Sequence, residues 1–252
     1  KIFVTKTSNY KKNCNKLEVH FAEIKDTLNF EIFKSFDECR SHTNGAGRIQ
    51  KYNFKGNEGI LLTTSYSGKA QDDNSIFGKI IFIDMGNKEH EIISKGHRNP
   101  QGLVVKDNII LSTEHGPRGG DEINRIFNKK NYGWPIASYG EPYESKKLNH
   151  EKSHIKNNFE EPLYVFLPSI GISELILLPN TFNQKWNNNA LVTSLNGRSI
   201  YRVNFQDDSY EKILYLEKIY IGERIRDIKY VEKLNVIIIA LERTGNIGIL
   251  KN

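Results

Sequence analysis

The sequence has no long apolar run, no block of like charges and no cluster of cysteine and histidine. Its longest apolar stretch, Val236 to Leu241, is far short of the roughly 18 residues a membrane-spanning helix needs, so membrane insertion is not expected. Its 36 Lys and Arg are scattered among 30 Asp and Glu. No run of about five or six like charges and no finger-type ligand spacing occurs, which argues against a nucleic-acid partner. A net charge of +6 instead suits a solvated basic surface or a basic channel that attracts an anionic ligand. No amphipathic helix of three turns is found, and no low-complexity tract suggests disorder.

Methionine is nearly absent, at one residue, whereas 12 Tyr and 13 Phe are present. That balance favours sheets over helical bundles. There are only two cysteines, Cys14 and Cys39. They read either as one disulfide in an oxidising compartment or as two buried thiols. The chain opens on Lys1 rather than Met, which fits a removed leader or a start inside a longer gene.

One pattern recurs, a short apolar strand ending in small polar residues. It runs Ile2–Thr7, Ile60–Ser65, Ile109–Glu114, Ala190–Leu195 and Val236–Leu241, with starts 58, 49, 81 and 46 residues apart. Alternating strands follow most copies, and Asn196-Gly197 between two of them signals a tight hairpin. Meanders repeated every 40 to 50 residues or so point to an all-β propeller of four-stranded antiparallel blades in one domain, 1–252, with about five blades present. The apolar strands are expected innermost, buried on both faces with their ends at the channel. The first and last blades read as incomplete, lacking an opening and an outer strand respectively, with closure by pairing of the two ends. The long interval places a rim loop at about 128–162.

Two stretches concentrate Gly, Pro and polar residues, Gly96-His-Arg-Asn-Pro-Gln-Gly-Leu103 and Thr113-Glu-His-Gly-Pro-Arg-Gly-Gly-Asp-Glu-Ile-Asn124. Asn131-Tyr-Gly-Trp-Pro135 follows. Glu114, Asp121, Glu122, the Tyr132 region and glycine-backed carbonyls form an oxygen set of the kind hard cations prefer, or else a glycine-rich turn with solvated carboxylates. Arg224 and Arg226 alternate on a strand and so share a face. They suit a carboxylate or phosphate between them, or are a surface pair with one bridged to Asp227.

In this order the stretches resemble the soluble PQQ-dependent aldose sugar dehydrogenases, the glucose/sorbosone dehydrogenase family. The resemblance is strongest from Gly96 to Pro135 and extends more weakly from about Asn44 to the C-terminus. It implies a six-bladed propeller, of which this chain lacks roughly the first blade, with calcium and PQQ as cofactors. It implies oxidation of an aldose to the lactone, delivery of electrons to an external acceptor, and a periplasmic or secreted location. Carried over by position, Arg98, Asn99, Gln101, His115, Asn196, Arg224 and Arg226 lie at the cofactor, with Arg98 also acting in catalysis. Gly116 and Pro117 offer carbonyls to a calcium, and Glu122 and Tyr132 match a second, structural calcium. Three departures stand out. Asn44 occupies the family's catalytic histidine position and has no useful basicity, with His42 two residues upstream as a substitute base. Asn196 replaces a lysine, and Ser65–Gly68 replaces an acidic or amide-rich loop. These departures motivate an alternative, a degenerate propeller that binds sugar, quinone or a protein partner without turnover.

Overall fold

The computed structural model describes residues 1–41, 45–144 and 150–252. Among them no α-helix occurs, only three short 3-10 turns. Five sheets follow one another along the chain. The first holds β1 (Ile2–Lys11), β2 (Cys14–Ala22) and β3 (Glu31–Arg40). The second holds β4 (Ile49–Phe54), β5 (Asn57–Thr63), β6 (Lys79–Asp84) and β7 (His90–Lys95). The third orders β8 (Pro100–Lys106), β9 (Ile109–Glu114), β10 (Asp121–Ile126) and β12 (Tyr164–Phe166) from channel to rim. The short β11 (Lys130–Asn131) crosses back to pair in parallel with β7 of the second sheet. The fourth sheet holds β13 (Ile172–Leu177), β14 (Asn189–Ser194), β15 (Ser199–Phe205) and β16 (Ile213–Tyr220). The fifth holds β17 (Ile225–Val231), β18 (Val236–Leu241) and β19 (Ile247–Lys251).

Residues of β1, β4, β8, β13 and β17 line a central cavity of about 760 Å3. Four of the five recurring apolar strands are therefore second strands, β5, β9, β14 and β18, not innermost ones. The reason lies in burial on two faces. Ile60 and Leu62 pack towards the first sheet while Leu61 packs towards the third, and Ala190 and Val192 oppose Leu191 in the same way. A strand covered on both sides reads as a continuous apolar run. The innermost strands mix polar with apolar residues because one side meets the channel. The end sheets are covered on one face only, which leaves Ile247 and Ile249 of β19 exposed.

Other expectations need correction. The sheets carry three, five, four, four and three strands rather than four each. The first sheet has its opening strand, since β1 lines the cavity. The terminal strands β1 and β19 sit in different sheets and do not pair. The Asn196-Gly197 hairpin is present, but its left-handed residue is Arg198.

Each interface between sheets is crossed by a side-chain hydroxyl donating to a carbonyl of the next sheet or its lead-in. Thr5 donates to Gly47 O at 3.0 Å, Thr63 to Pro100 O at 3.4 Å, Thr113 to Ser173 O at 2.5 Å, and Ser173 to Ile225 O at 2.7 Å. This belt explains the small polar ends of the repeat.

Cys14 and Cys39 form a disulfide joining the start of β2 to the end of β3. Closing a loop of 25 residues' separation contributes about 3 kcal/mol. A Cys14→Ala/Cys39→Ala double variant should lose stability of that order in urea melts. Coincident wild-type and variant curves would refute the contribution.

Candidate functional site

The predicted site segments that the structure describes fall where second and outer strands end or where innermost and third strands begin. In an antiparallel sheet these are the same end, so the topology gathers them at one mouth of the channel. His42 and Asn44 lie outside the described residues.

The first group is built on Glu114, the buried last residue of β9. One carboxylate oxygen pairs with His97 Nδ1 at 2.9 Å, and the other accepts the main-chain N–H groups of Arg98 and Asn99. His97 is fully buried, reaches Ser94 Oγ at 2.8 Å, and stacks on Tyr132 at 4.7 Å. Glu114 thus folds the segment that presents Arg98. That guanidinium donates to His115 O at 3.0 Å and lies 5.3 Å from the Trp134 ring and 5.7 Å from that of Tyr143. The His115 N–H donates to Asn99 O at 3.2 Å, and Gln101 Nε2 to Asn99 Oδ1 at 2.9 Å. Arg98, Asn99, Gln101 and His115 therefore form one connected patch.

The second group is the loop holding Gly116 and Pro117. Asp121, fully buried, accepts from Gly116 N at 3.1 Å, Ser169 Oγ at 3.0 Å, and the N–H groups of Ile170 and Ile172, each at 3.0 Å. Burial opposes its charge, but His115 and these donors outweigh it and hold its pKa below the ordinary carboxylate value. A side chain at Gly116 would run into the carbonyls of Gly119 and Gly120, so only glycine allows the loop to fold this tightly. Among the described residues no main-chain donor uses the carbonyls of Gly116 or Pro117.

Next to this loop Glu122 is buried and accepts from Asn124 at 3.2 Å, with no salt-bridge partner among the described residues. Burial, then the neighbouring Glu114 charge, push its pKa up to about 8. Asn124 Oδ1 is likewise buried without a hydrogen-bond donor. Glu122 and Tyr132 line a void of about 10 Å3, the volume of one small occupant. The Tyr132 hydroxyl is already used, donating to Arg125 O and accepting from Phe127 N, and its main chain is a hydrogen-bond partner of His154. Among the described residues no three His, Cys, Asp or Glu side chains gather as a metal cluster.

The third group centres on Arg48, which sequence reasoning passed over. Its Nη1 lies 2.9 Å from both Glu174 and Asp227. Its Nε donates to Gln101 O at 2.6 Å and its Nη2 to Arg226 O at 3.3 Å. One guanidinium thus ties four sheets together. Burial raises the Glu174 pKa to about 7 despite Arg48. Arg224 and Arg226 do share a face, and both reach one carboxylate, Glu242, at 3.4 and 2.8 Å. Asp227 bridges Arg48, not its neighbours. Asn196, just past the end of β14 at the same mouth, lines a cleft between the third and fourth sheets.

Comparisons with known proteins point the same way. A family model described as Glucose / Sorbosone dehydrogenase matches residues 7–249. The aldose sugar dehydrogenase YliI of Escherichia coli is 30% identical over 176 residues, which is 68% of this chain and 45% of that protein. The quinoprotein glucose dehydrogenase B of Acinetobacter calcoaceticus is 28% identical over 63% of this chain and 31% of its own length. The chain spans less than half the length of these curated relatives. The apo-form of the soluble aldose sugar dehydrogenase from Escherichia coli superposes with a TM-score of 0.83 at 22% identity, over 99% of this chain and 77% of that one. The PQQ-bound form of aldose sugar dehydrogenase from Streptomyces coelicolor gives 0.70 at 20% identity, over 98% of this chain and 73% of that one. These likenesses establish the propeller fold.

The Glu174 carboxyl gives a pH prediction. Folded, it holds its proton up to about pH 7, whereas the unfolded chain releases it near the ordinary 4.5. The folded state binds more protons in that window, so this residue lowers stability as pH rises through it. Glu174→Gln should remove that component. The gap between variant and wild-type unfolding midpoints should shift in the variant's favour from pH 5 to pH 7.5, and a constant gap would contradict the assignment.

Proposed function

The chain belongs to the glucose/sorbosone dehydrogenase family, and from that membership we propose that it oxidises an aldose at the anomeric carbon to the lactone, with calcium-bound PQQ as hydride acceptor. The observation that carries the reading is the connected patch of Arg98, Asn99, Gln101 and His115 beside two carbonyls, of Gly116 and Pro117, that no main-chain donor uses among the described residues.

The residues present fit both groups. Hard cations take oxygen ligands, and the free carbonyls of 116 and 117 suit a calcium at the cofactor. Glu122, buried beside an oxygen of Asn124 that has no donor, suits a second calcium. PQQ is a planar tricarboxylate, for which arginines are apt partners. When bound, it supplies a quinone that accepts hydride, polarised by the calcium. Arg98 is held by His115 O and aromatic rings rather than by a carboxylate, so its charge is available to an anion. Arg48 fixes the main chain at Gln101 and Arg226. In this reading His42 or another group takes the sugar hydroxyl proton, because Asn44 has no useful basicity. The disulfide supports a periplasmic or secreted location, where an external acceptor removes the electrons.

A second reading, a propeller that binds its ligand without turnover, is favoured by Glu242, which already occupies both Arg224 and Arg226.

Titration with PQQ in calcium, followed by absorbance and by dye reduction with aldoses, tests the proposal. Saturable binding with turnover, and binding at least tenfold weaker in Arg98→Ala, are expected. Bound PQQ without turnover on any aldose would leave only the second reading. The structural calcium has its own test. Calcium at 100 times its dissociation constant should add about 2.7 kcal/mol to stability, and Glu122→Gln should abolish the gain. An equal gain in both proteins would exclude Glu122 as a ligand.

A further inference from the structure

Arg48, Glu174 and Asp227 line the central cavity of about 760 Å3. They adjoin the predicted cofactor residues through the main chain. Arg48 donates to Gln101 O at 2.6 Å and to Arg226 O at 3.3 Å, and Glu174 Oε1 accepts from Leu103 N at 3.0 Å. A single guanidinium nitrogen here serves two carboxylates. Arg48 Nη1 is 2.9 Å from Glu174 Oε2 and 2.9 Å from Asp227 Oδ2, yet its hydrogen bond goes to Asp227.

The two acids are not equivalent. The Asp227 side chain is 50% exposed, and its other oxygen accepts from Ile228 N at 2.8 Å. The Glu174 side chain is only 9% exposed. Its Oε1 accepts from Leu103 N and Leu175 N, but no donor among the described residues is aimed at Oε2. The charged groups that face it are Arg48, ahead of β4, and Asp227 on β17. β8 gives it a main-chain N–H, and β9 and β14 bring the hydroxyls of Thr113 and Thr193, which bond to the Ser173 and Glu174 carbonyls. Two buried or half-buried carboxylates on one cation leave an anion uncompensated, and the more buried one with a free oxygen is where a proton settles. Burial, opposed by Arg48, pushes the Glu174 pKa up to about 7, and Asp227 adds to the rise.

Other acids of the mouth are better matched. Glu114 meets His97 and two N–H groups, Asp121 meets four donors, and Glu242 meets two arginines. Negative charge brought near an ionised Glu174 disfavours its charged form further. We propose that Glu174 takes up a proton when the carboxylates of the cofactor bind, so that this end of the channel adjusts its charge to the ligand while Arg48 stays paired with Asp227. The proton comes from solvent, and no bond of the ligand changes. The inference rests on the PQQ reading above and goes beyond it by making affinity pH-dependent through one residue.

Calorimetry tests this without turnover. PQQ is titrated into the calcium-saturated protein at pH 7, in two buffers of different ionisation heat, and the difference counts protons. A group with a pKa near 7 is half-protonated there, so Glu174→Gln should take up about half a proton fewer per PQQ than the wild type. From pH 6 to pH 8 the wild type should lose about tenfold more affinity than the variant. Glutamine keeps the acceptor for Leu103 and Leu175, so the variant should fold. Infrared spectra in calcium without PQQ give a second measure, a protonated-carboxyl component that fades as pH rises through about 7 in the wild type and is missing from Glu174→Gln. PQQ binding with equal proton exchange in both proteins, or a wild-type spectrum without that component, would overturn the inference and leave the cofactor reading intact. PQQ that binds neither protein would end the cofactor reading, and the inference with it.

Discussion

Four hydroxyl-to-carbonyl hydrogen bonds, from Thr5, Thr63, Thr113 and Ser173, stitch each sheet to the next around the channel. Apolar packing between sheets is strong but non-directional. It would tolerate small slides of one sheet over another. A buried hydroxyl aimed at one carbonyl would not, because a slide leaves both groups unsatisfied at a cost of about 1–3 kcal/mol. The belt therefore sets the angular register of the sheets. Arg48 extends the same device with a charged donor reaching two carboxylates and two carbonyls.

The mouth of the channel is organised by buried carboxylates rather than by arginines. Glu114, Asp121 and Glu174 each accept main-chain N–H groups, from Arg98 and Asn99, from Gly116, Ile170 and Ile172, and from Leu103 and Leu175. Each fixes a loop that would otherwise carry unpaired donors into a buried place. Glycine makes room for this. Any side chain on Gly102 would collide with Thr113 Oγ1 and Glu174 Oε1, so the belt and the carboxylate both depend on its absence. Rigid loops of this kind hold side chains in position before a ligand arrives.

Much of this was legible in the sequence, for definite reasons. The repeat was visible because strands buried on both faces are apolar without interruption. Which strand of each sheet they form was not, since the innermost strands face a polar channel and show no clean period. The shared face of Arg224 and Arg226 followed from alternation alone. Their partner Glu242 did not, because it stands on the neighbouring strand end, 16 and 18 residues away. Arg48 was hidden more deeply. Glu174 and Asp227 are remote in sequence, and no local pattern announces an ion pair that only the closing of the sheets creates. The one clue was composition, an arginine and two acids at the edges of apolar strands. Asn196 was placed at the cofactor by resemblance, and the fold sets it just past the end of β14 at the channel mouth, where it also lines the cleft.

The charges at the channel mouth bear on how a polyanion could be held there. Arg48, Arg224 and Arg226 pair with Glu174, Asp227 and Glu242, and Arg98 stands beside Glu114 and Asp121, so four arginines meet five carboxylates and the set offers no net positive charge. A tricarboxylate adds negative charge to a mouth that has no positive surplus. Charges removed from water must be balanced nearby or they oppose binding. The protein can meet the excess by releasing Glu242 from its arginines, which gives up two ion pairs to gain one anion contact. Otherwise the ligand must arrive with a divalent cation of its own. The second route sacrifices no internal pair and uses carbonyls at Gly116 and Pro117 that no main-chain donor occupies. On the proposed reading, calcium is then a requirement of charge balance at this site, and the near-neutral set of arginines and carboxylates is what makes it one.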